Sequence, residues 1–308
     1  MVQFYRSLIS QKRYLDLIII AVLESQVTNY FSVDVEGFVE STLQSFYIDK
    51  KYIDRSKENY EIEKNMNFLL ELLEELHVRA TFFFLGRVAR DLPDIVRQAA
   101  RANHEIASHG WEHVRIFGVS KEEFKEKMLS SKSHLEDVSG RRVYGFRAPD
   151  FSITKSSIWA LDILREIGFL YDSSIYPFGL HDVYGIENVN PFVHKLPNGL
   201  IEVPLSTIDF LGRRFPFGGG GYFRLYPLFV TSLCISHLNK LGHPCMVYIH
   251  PCEVGPIIPK IPGISFYRKF RHYYNCRAGS ERLRKVLHSF KFGPVIEILK
   301  QRSFLEDK

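Results

Sequence analysis

The sequence predicts an α/β fold, with repeated β-α units wound into a largely parallel sheet or barrel. Short β-branched or aromatic runs alternate with segments of helical periodicity. The polar residues Asp34, Glu36, His109, Arg147, Asp172 and His250 all fall at or just beyond the C-terminal ends of those runs, the face that carries active sites in barrels of parallel strands. At 308 residues and 45% hydrophobic, with 25 Phe and 16 Tyr, the chain has ample surface to bury in a large core, and disorder is excluded.

In chain order, the first 28 residues stand apart as an extension. Within them Leu15 to Leu23 is apolar except for Asp16, too short for a spanning helix of ~20 residues. It also lacks a convincing signal-peptide cleavage site, so the expected location is cytoplasmic, with membrane-surface association left open. Strands are expected at Tyr30–Val35, Ala80–Leu85, Glu105–Ala107, Val143–Phe146, Phe169–Tyr171, Ile201–Leu205 and Met246–Ile249. Between them Ile62, Met66, Leu69, Leu73 and Leu76 recur at helical spacing. Asp91 ahead of Leu92-Pro93 reads as a helix cap followed by an early proline. Ser120 with Glu123 forms a capping box, Thr154 opens a helix that Gly168 closes, and Gly242 ends another. Gly218 to Gly221 is an unusual four-glycine run. The expected division is an extension over 1–28, a barrel over 29–255 and a basic C-terminal extension over 256–308.

Charge is uneven: residues 256–308 carry 12 Lys/Arg against 4 Asp/Glu, a net of +8 against −3 for the remainder. Such a tail suits an anionic membrane surface, an acidic glycan or nucleic acid, and its plainer reading is a solvated helix face. Nucleic acid ranks last, because no recognition motif accompanies the charge. Cys234, Cys245, Cys252 and Cys276 have neither C-x-x-C pairing nor regular spacing, which argues against a zinc ribbon or a disulfide framework.

The chemistry centres on His109-Gly110-Trp111-Glu112-His113. Two imidazoles four residues apart can close on one metal ion from the same side of a helical turn. Asp34-Val35-Glu36 supplies two acids on one side of a strand; Glu36 is assigned to the metal and Asp34 to the proton. Mixed N and O ligands with open positions suit a catalytic zinc, although Co, Ni, Mn or Fe(II) fit the same set. Arg147 at a strand end can fork onto Asp34 and orient it. Pro149 fixes the following turn, where backbone N–H groups near Phe151 could bind an oxyanion. His250 projects into the mouth as the acid that protonates a leaving amine, with Asp172 as its expected partner. Trp111 and Tyr222 complete the expected substrate-contacting set. His104, His181, His194, His237, His243, His272 and His288 lack such context and read as structural or surface residues.

Taken in order, the segments SVDVEG, ATFFFLGRVAR, HEIASHGWEH, GFRAPDFSIT, GFLYDSSIYP, EVPLST, GGGGYFRLYP, YIHPCE and FRHYYN resemble the NodB-homology polysaccharide deacetylases, carbohydrate esterase family four. The likeness runs roughly from Tyr30 to Ser303. Its last segments resemble the subgroup of bacterial exopolysaccharide and exosortase-associated loci. The resemblance implies a distorted (β/α)7-type barrel and a divalent metal held by Glu36, His109 and His113. It further implies Asp34 as base, Arg147 orienting it and His250 as acid, with Asp172 matching the position associated with that histidine. Three departures stand out. Val35 separates the two acids, Gly37-Phe38-Val39-Glu40 replaces the subgroup's Asp-Tyr-Phe-His, and Cys252 replaces its tryptophan.

The leading expectation is therefore metal-dependent removal of N-acetyl groups from sugar units of a polysaccharide, its lipid-linked precursor or peptidoglycan. A small cyclic amide or imide hydrolase on the same site is a second reading. A catalytically silent carbohydrate-binding or assembly protein is a third. The oligomeric state is not readable from the sequence.

Overall fold

A computed structural model describes residues 27–46, 54–179, 184–261 and 266–306. The apolar run Leu15 to Leu23 and His181 lie outside them. Seven parallel strands form the main path of one sheet: β1 (Asn29–Val35), β2 (Thr81–Phe84), β3 (Glu105–Ser108), β4 (Gly145–Phe146), β5 (Tyr171–Asp172), β7 (Ile201–Glu202) and β10 (Met246–Ile249). Their order is β10-β1-β2-β3-β4-β5-β7, and antiparallel β6 (His194–Lys195) edges β7. β11 (Phe292–Gly293) joins the start of β1, and β8 (Thr207–Phe210) with β9 (Arg213–Pro216) makes a separate hairpin. All seven strands expected from the sequence are present. The result is an α/β fold with a curled, half-barrel sheet.

Strand parity decides what faces where. In β1 every residue is buried, as expected when helices cover one side and a barrel interior the other. Phe31, Val33 and Val35 belong to the core under the helices, with Phe82, Phe84, Val247 and Ile249. Tyr30, Phe83, Ala107, Tyr171, Ile201, Met246 and Tyr248 instead form the interior core. With period two, the inward set continues through Ser32 and Asp34 in β1. It reaches Glu36, His109, Arg147, Ser173 and His250 just past the strand ends.

The sheet does not close by pairing β7 with β10. The segment after β7 runs against β10 instead: Tyr248 N donates to Gly218 O at 3.0 Å and Met246 N to Ser206 Oγ at 2.6 Å. This explains the glycine run, because a Cβ on Gly218 would lie 2.1 Å from the Met246 carbonyl oxygen and one on Gly219 2.0 Å from the Tyr248 ring.

At the opposite end from the site, the C-terminal helix Val295–Gln301 plugs the interior with Val295, Ile298 and Leu299. Its first N–H groups are tied to the sheet, Val295 N to Thr81 Oγ1 at 2.8 Å and Ile296 N to Glu105 Oε2 at 3.0 Å. A buried carboxylate at a helix N-terminus satisfies donors that otherwise have no partner.

The helices bear out part of the sequence reading. Helix Arg55–Glu75, capped by Asp54, buries Ile62, Met66, Leu69 and Leu73. Ser120 caps helix Lys121–Ser139 by accepting from Glu123 N, and Gly242 follows helix Leu228–Lys240 in the left-handed region at φ 81°. Two caps differ. Asp91 does not cap the helix starting at Pro93; it ends the preceding helix Gly86–Asp91, where Arg87 and Arg90 hold its carboxylate. Thr154 opens a series of turns stabilised by Ser157, and the regular helix begins only at Ala160.

Three of the tail's twelve basic side chains are held by the rest of the fold. Arg284 pairs with Glu75, Arg282 donates to the carbonyls of Phe223 and Tyr226, and Arg302 donates to that of Gly242. Among the described residues no helix is long and apolar enough to cross a membrane.

Candidate active site

The C-terminal ends of β1, β3, β4 and β10 bring the inward side chains together. Glu36 Oε2 lies 3.0 Å from His109 Nε2 and 3.2 Å from His113 Nε2. The donor atoms of Glu36, His109 and His113 all fall within 4.8 Å of one another, and all three residues are buried. Burial alone would push the Glu36 carboxyl up, but His113 and His109 hold it down at about 2. Burial likewise works against a charged His109, yet Glu36 and Asp34 carry it above its ordinary value.

The four-residue interval works through a loop rather than a helical turn. After β3 the chain bends at Gly110, whose φ of 91° is in the left-handed region. This bend returns His113 to the same side as His109. The loop is pinned on both flanks: Gly86 N donates to Gly110 O at 2.8 Å, Arg87 N to Trp111 O at 2.9 Å, and Ser131 Oγ to Gly110 O at 2.9 Å. His109 Nδ1 bonds the Arg147 carbonyl at 2.8 Å. Since a carbonyl only accepts, Nδ1 carries the proton, and Nε2 is the atom left to bind metal. Two imidazole nitrogens and one carboxylate, with one ring already oriented by a backbone carbonyl, fit a single divalent ion with open positions.

Beside this triad Arg147, fully buried, donates from Nη1 to Asp34 Oδ1 at 2.7 Å and to Ser32 Oγ at 2.8 Å. Its other nitrogens are held by the Ser173 carbonyl and hydroxyl at 3.2 and 3.0 Å. The guanidinium lies 4.2 Å from the Phe83 ring centroid, so the fork has no freedom to swing. His250 approaches from the other side, its Nε2 3.4 Å from Glu36 Oε1.

A family model for polysaccharide deacetylases matches residues 52–171, taking in His109, His113 and Arg147. The chain carries a polysaccharide deacetylase domain. A second model, described as a domain of unknown function (DUF3473), matches residues 173–300, which include Arg224, His250 and Glu253. Among curated proteins the chain is 28% identical to a peptidoglycan-N-acetylglucosamine deacetylase of Bacillus cereus over 53% of its own length and 63% of that protein's. It is 38% identical to a chitooligosaccharide deacetylase of Azorhizobium caulinodans over 32% of its length and 44% of that protein's. The alignments thus span less than two thirds of either relative. In fold, the chain is similar to a probable polysaccharide deacetylase of Pseudomonas aeruginosa, with TM-score 0.59 and 16% identity over 90% of this chain and 92% of that one.

At the site, two expected partnerships are corrected. His250 is not paired with Asp172: its Nδ1 faces Glu253 Oε2 at 3.1 Å. The reason is strand parity. Tyr171 and Ser173 point inward, so Asp172 points out, where its register partner is Glu202 of β7. Asp172 also accepts from Ser174 N at 3.0 Å and Ser174 Oγ at 2.6 Å. Burial and mutual repulsion raise the Glu202 carboxyl well above its ordinary range, and burial raises Asp172 as well. The Phe151 N–H is not free for an oxyanion either. It closes a tight turn onto Ala148 O at 3.0 Å, with Asp150 and Phe151 both in the left-handed region.

Phe151 instead forms part of an aromatic wall. Its ring lies 5.1 Å from Tyr248 and 5.5 Å from Tyr176, and Tyr176 stacks on Tyr184 at 5.2 Å. Pro149 is buried at the start of that turn. Trp111 lies over Gly86 and edge-on to His134 at 5.8 Å, while Tyr222 sits 6.1 Å from Tyr226.

Two groups escaped the sequence reading. Glu253 and Arg224 form a buried ion pair, Nε to Oε1 at 2.7 Å, and Glu253 is the partner that His250 has in place of Asp172. Glu253 sits three residues after His250, the spacing of a capping box, which was a usable signal. Beside the His109–His113 loop, Arg87 and Arg55 hold Glu40 and Glu58, with Arg87 Nη2 2.7 Å from Glu40 and Glu58 Oε1 accepting from Glu40 N at 3.0 Å. A Cβ on Gly37 would sit 2.0 Å from the Glu58 carboxyl, so Gly37 and Glu40, two of the departing residues, meet the same buried side chain. All four cysteines are free.

Proposed function

We propose that the domain hydrolyses N-acetyl groups of N-acetylated sugars in a polysaccharide, a lipid-linked glycan or peptidoglycan, using one divalent metal, zinc by preference. The observation that carries this reading is the convergence of Glu36, His109 and His113 beside the Arg147–Asp34 pair. The named activities of the similar deacetylases support the same substrate class.

Glu36, His109 and His113 would hold the ion, which supplies Lewis-acid activation of water and of the acetyl carbonyl. Asp34, fixed by Arg147 through Oδ1, keeps its other oxygen for the proton of the attacking water. Burial opposes charge on His250, but Glu253, Glu36 and Asp34 outweigh it and raise the ring to about 9. It therefore carries a proton at neutral pH, which an amine leaving group needs. A cation held by Glu36 would offset part of that shift and bring His250 toward the range of a working acid. The interior aromatic wall gives the sugar face a surface to pack on.

The test is acetate release from N-acetylated chitooligosaccharides and peptidoglycan fragments by the metal-loaded full chain. Release is expected with wild type and lowered at least about 100-fold in Asp34→Asn at unchanged metal content. Absence of acetate from every N-acetylated glycan tried, or an Asp34→Asn variant as active as wild type, contradicts the reading.

A further inference from the structure

The residues after the sheet's last long strand reach back to the catalytic face through a continuous chain of contacts. Helix Phe266–Tyr273 ends beside Arg224, whose Nη1 donates to the main-chain carbonyls of His272 and Tyr274, both at 2.9 Å. Asn275 closes the grip from the other direction, its Nδ2 donating to Arg224 O at 2.9 Å. Arg224 Nε then holds Glu253 Oε1 at 2.7 Å. The second oxygen, Oε2, accepts from both His250 N at 2.9 Å and His250 Nδ1 at 3.1 Å. Gly279, which opens helix Gly279–Ser289, packs against the backbone at Glu253 so closely that a Cβ there would lie 1.9 Å from the Glu253 oxygen.

We propose that this C-terminal segment is part of the catalytic apparatus: it fixes Arg224, and Arg224 with Glu253 are positioning residues that set the ring of His250. The inference rests on the reading of His250 as the acid. The Glu253 carboxylate can only accept, so the imidazole it grips must donate from Nδ1. That turns Nε2 toward Glu36 Oε1 at 3.4 Å, into the candidate metal centre. A carboxylate fastened at both ends resists rotation, and a base–orienter pair of this kind fixes tautomer and aim without touching substrate. The segment thus holds Arg224 at two places, the guanidinium by the carbonyls of His272 and Tyr274 and the main chain by the Asn275 amide.

The experiment uses the metal-loaded full chain and two substrates: an N-acetylated chitooligosaccharide, whose amine must be protonated to leave, and 4-nitrophenyl acetate, whose phenolate leaves unaided. Glu253→Gln, which keeps shape but offers Nδ1 a poorer acceptor, is expected to lower kcat on the amide at least about tenfold. KM should stay within about twofold and the aryl ester rate within about threefold. Asn275→Gly, which tolerates the local φ of 56°, should show the same split at smaller size, and Arg224→Lys should lose less than Arg224→Gln. Equal losses on both substrates, or no loss on the amide, overturn the proposal. A separate readout covers failure of the deacetylase reading itself: long-range proton–nitrogen spectra, with His250 assigned by its absence in His250→Ala. In spectra taken at a pH where the ring is neutral, Nδ1 is expected to carry the proton in wild type and the tautomer balance to be altered in Glu253→Gln; an unchanged ring signature contradicts the positioning role whatever the substrate.

Discussion

Arg147 Nη1 stands 2.7 Å from Asp34 Oδ1, and the guanidinium is wholly buried with four protein oxygens around it. Removing one member of such a pair leaves a buried charge unanswered, at a cost of about 3 to 5 kcal/mol. Arg147→Ala should therefore lower the urea midpoint strongly. Asp34→Asn, which retains an oxygen for Arg147, should fold and bind metal while losing at least about 100-fold in kcat. Metal analysis and acetate kinetics on the same sample check both halves; an Asp34→Asn protein that loses its metal would place Asp34 among the ligands instead.

Closure of the half-barrel depends on glycine. Gly218→Ala would bring a methyl 2.1 Å from the Met246 carbonyl oxygen, a backbone atom that cannot turn aside. The expected destabilisation is about 1 to 3 kcal/mol. Gly221→Ala, with nothing within 4 Å of the added carbon, is the matched control and should be neutral or stabilising. Equal thermal midpoints for the two variants would remove the steric account of the glycine run.

Glu105 links stability to pH. Burial raises its carboxyl from 4.5 to about 7, outweighing the hydrogen bonds from Thr81, Ile296 N and Tyr171. Below the lower value both folded and unfolded chains carry the proton. Between the two values the unfolded chain releases it while the folded one retains it, so rising pH favours unfolding. The loss is complete above the folded value and is on the order of 3 kcal/mol. Urea unfolding of wild type and Glu105→Gln at pH 5 and pH 8 should show the variant gaining relative stability at the higher pH. A constant difference would show that Glu105 is ionised throughout.

Much of this was legible in the sequence because long-period signals survive without tertiary knowledge. Seven strands were readable as apolar runs, and the ligands as an Asp-x-Glu and a His-x-x-x-His at strand ends. What escaped depended on register or distance. β6 (His194–Lys195) contains no apolar residue and β11 (Phe292–Gly293) is cut off by Pro294, so neither reads as an apolar run. Its strand-end position puts Asp172 in the mouth, but the inward phase, set by Tyr171 in the interior core, turns it away. Arg224 and Glu253 are 29 positions apart, and no local pattern couples a guanidinium to a carboxylate across such an interval. The helical geometry inferred for His109 and His113 failed because Gly110 lets a bend do the same work.

The most direct measurement is titration of the metal-free full chain with cobalt(II), followed through its visible absorption. The account predicts bands that saturate at one equivalent, persist in His250→Ala, and vanish or weaken by at least about tenfold in affinity in Glu36→Ala, His109→Ala and His113→Ala. Saturation at another stoichiometry, or binding that survives loss of any one of those three side chains unchanged, would contradict it.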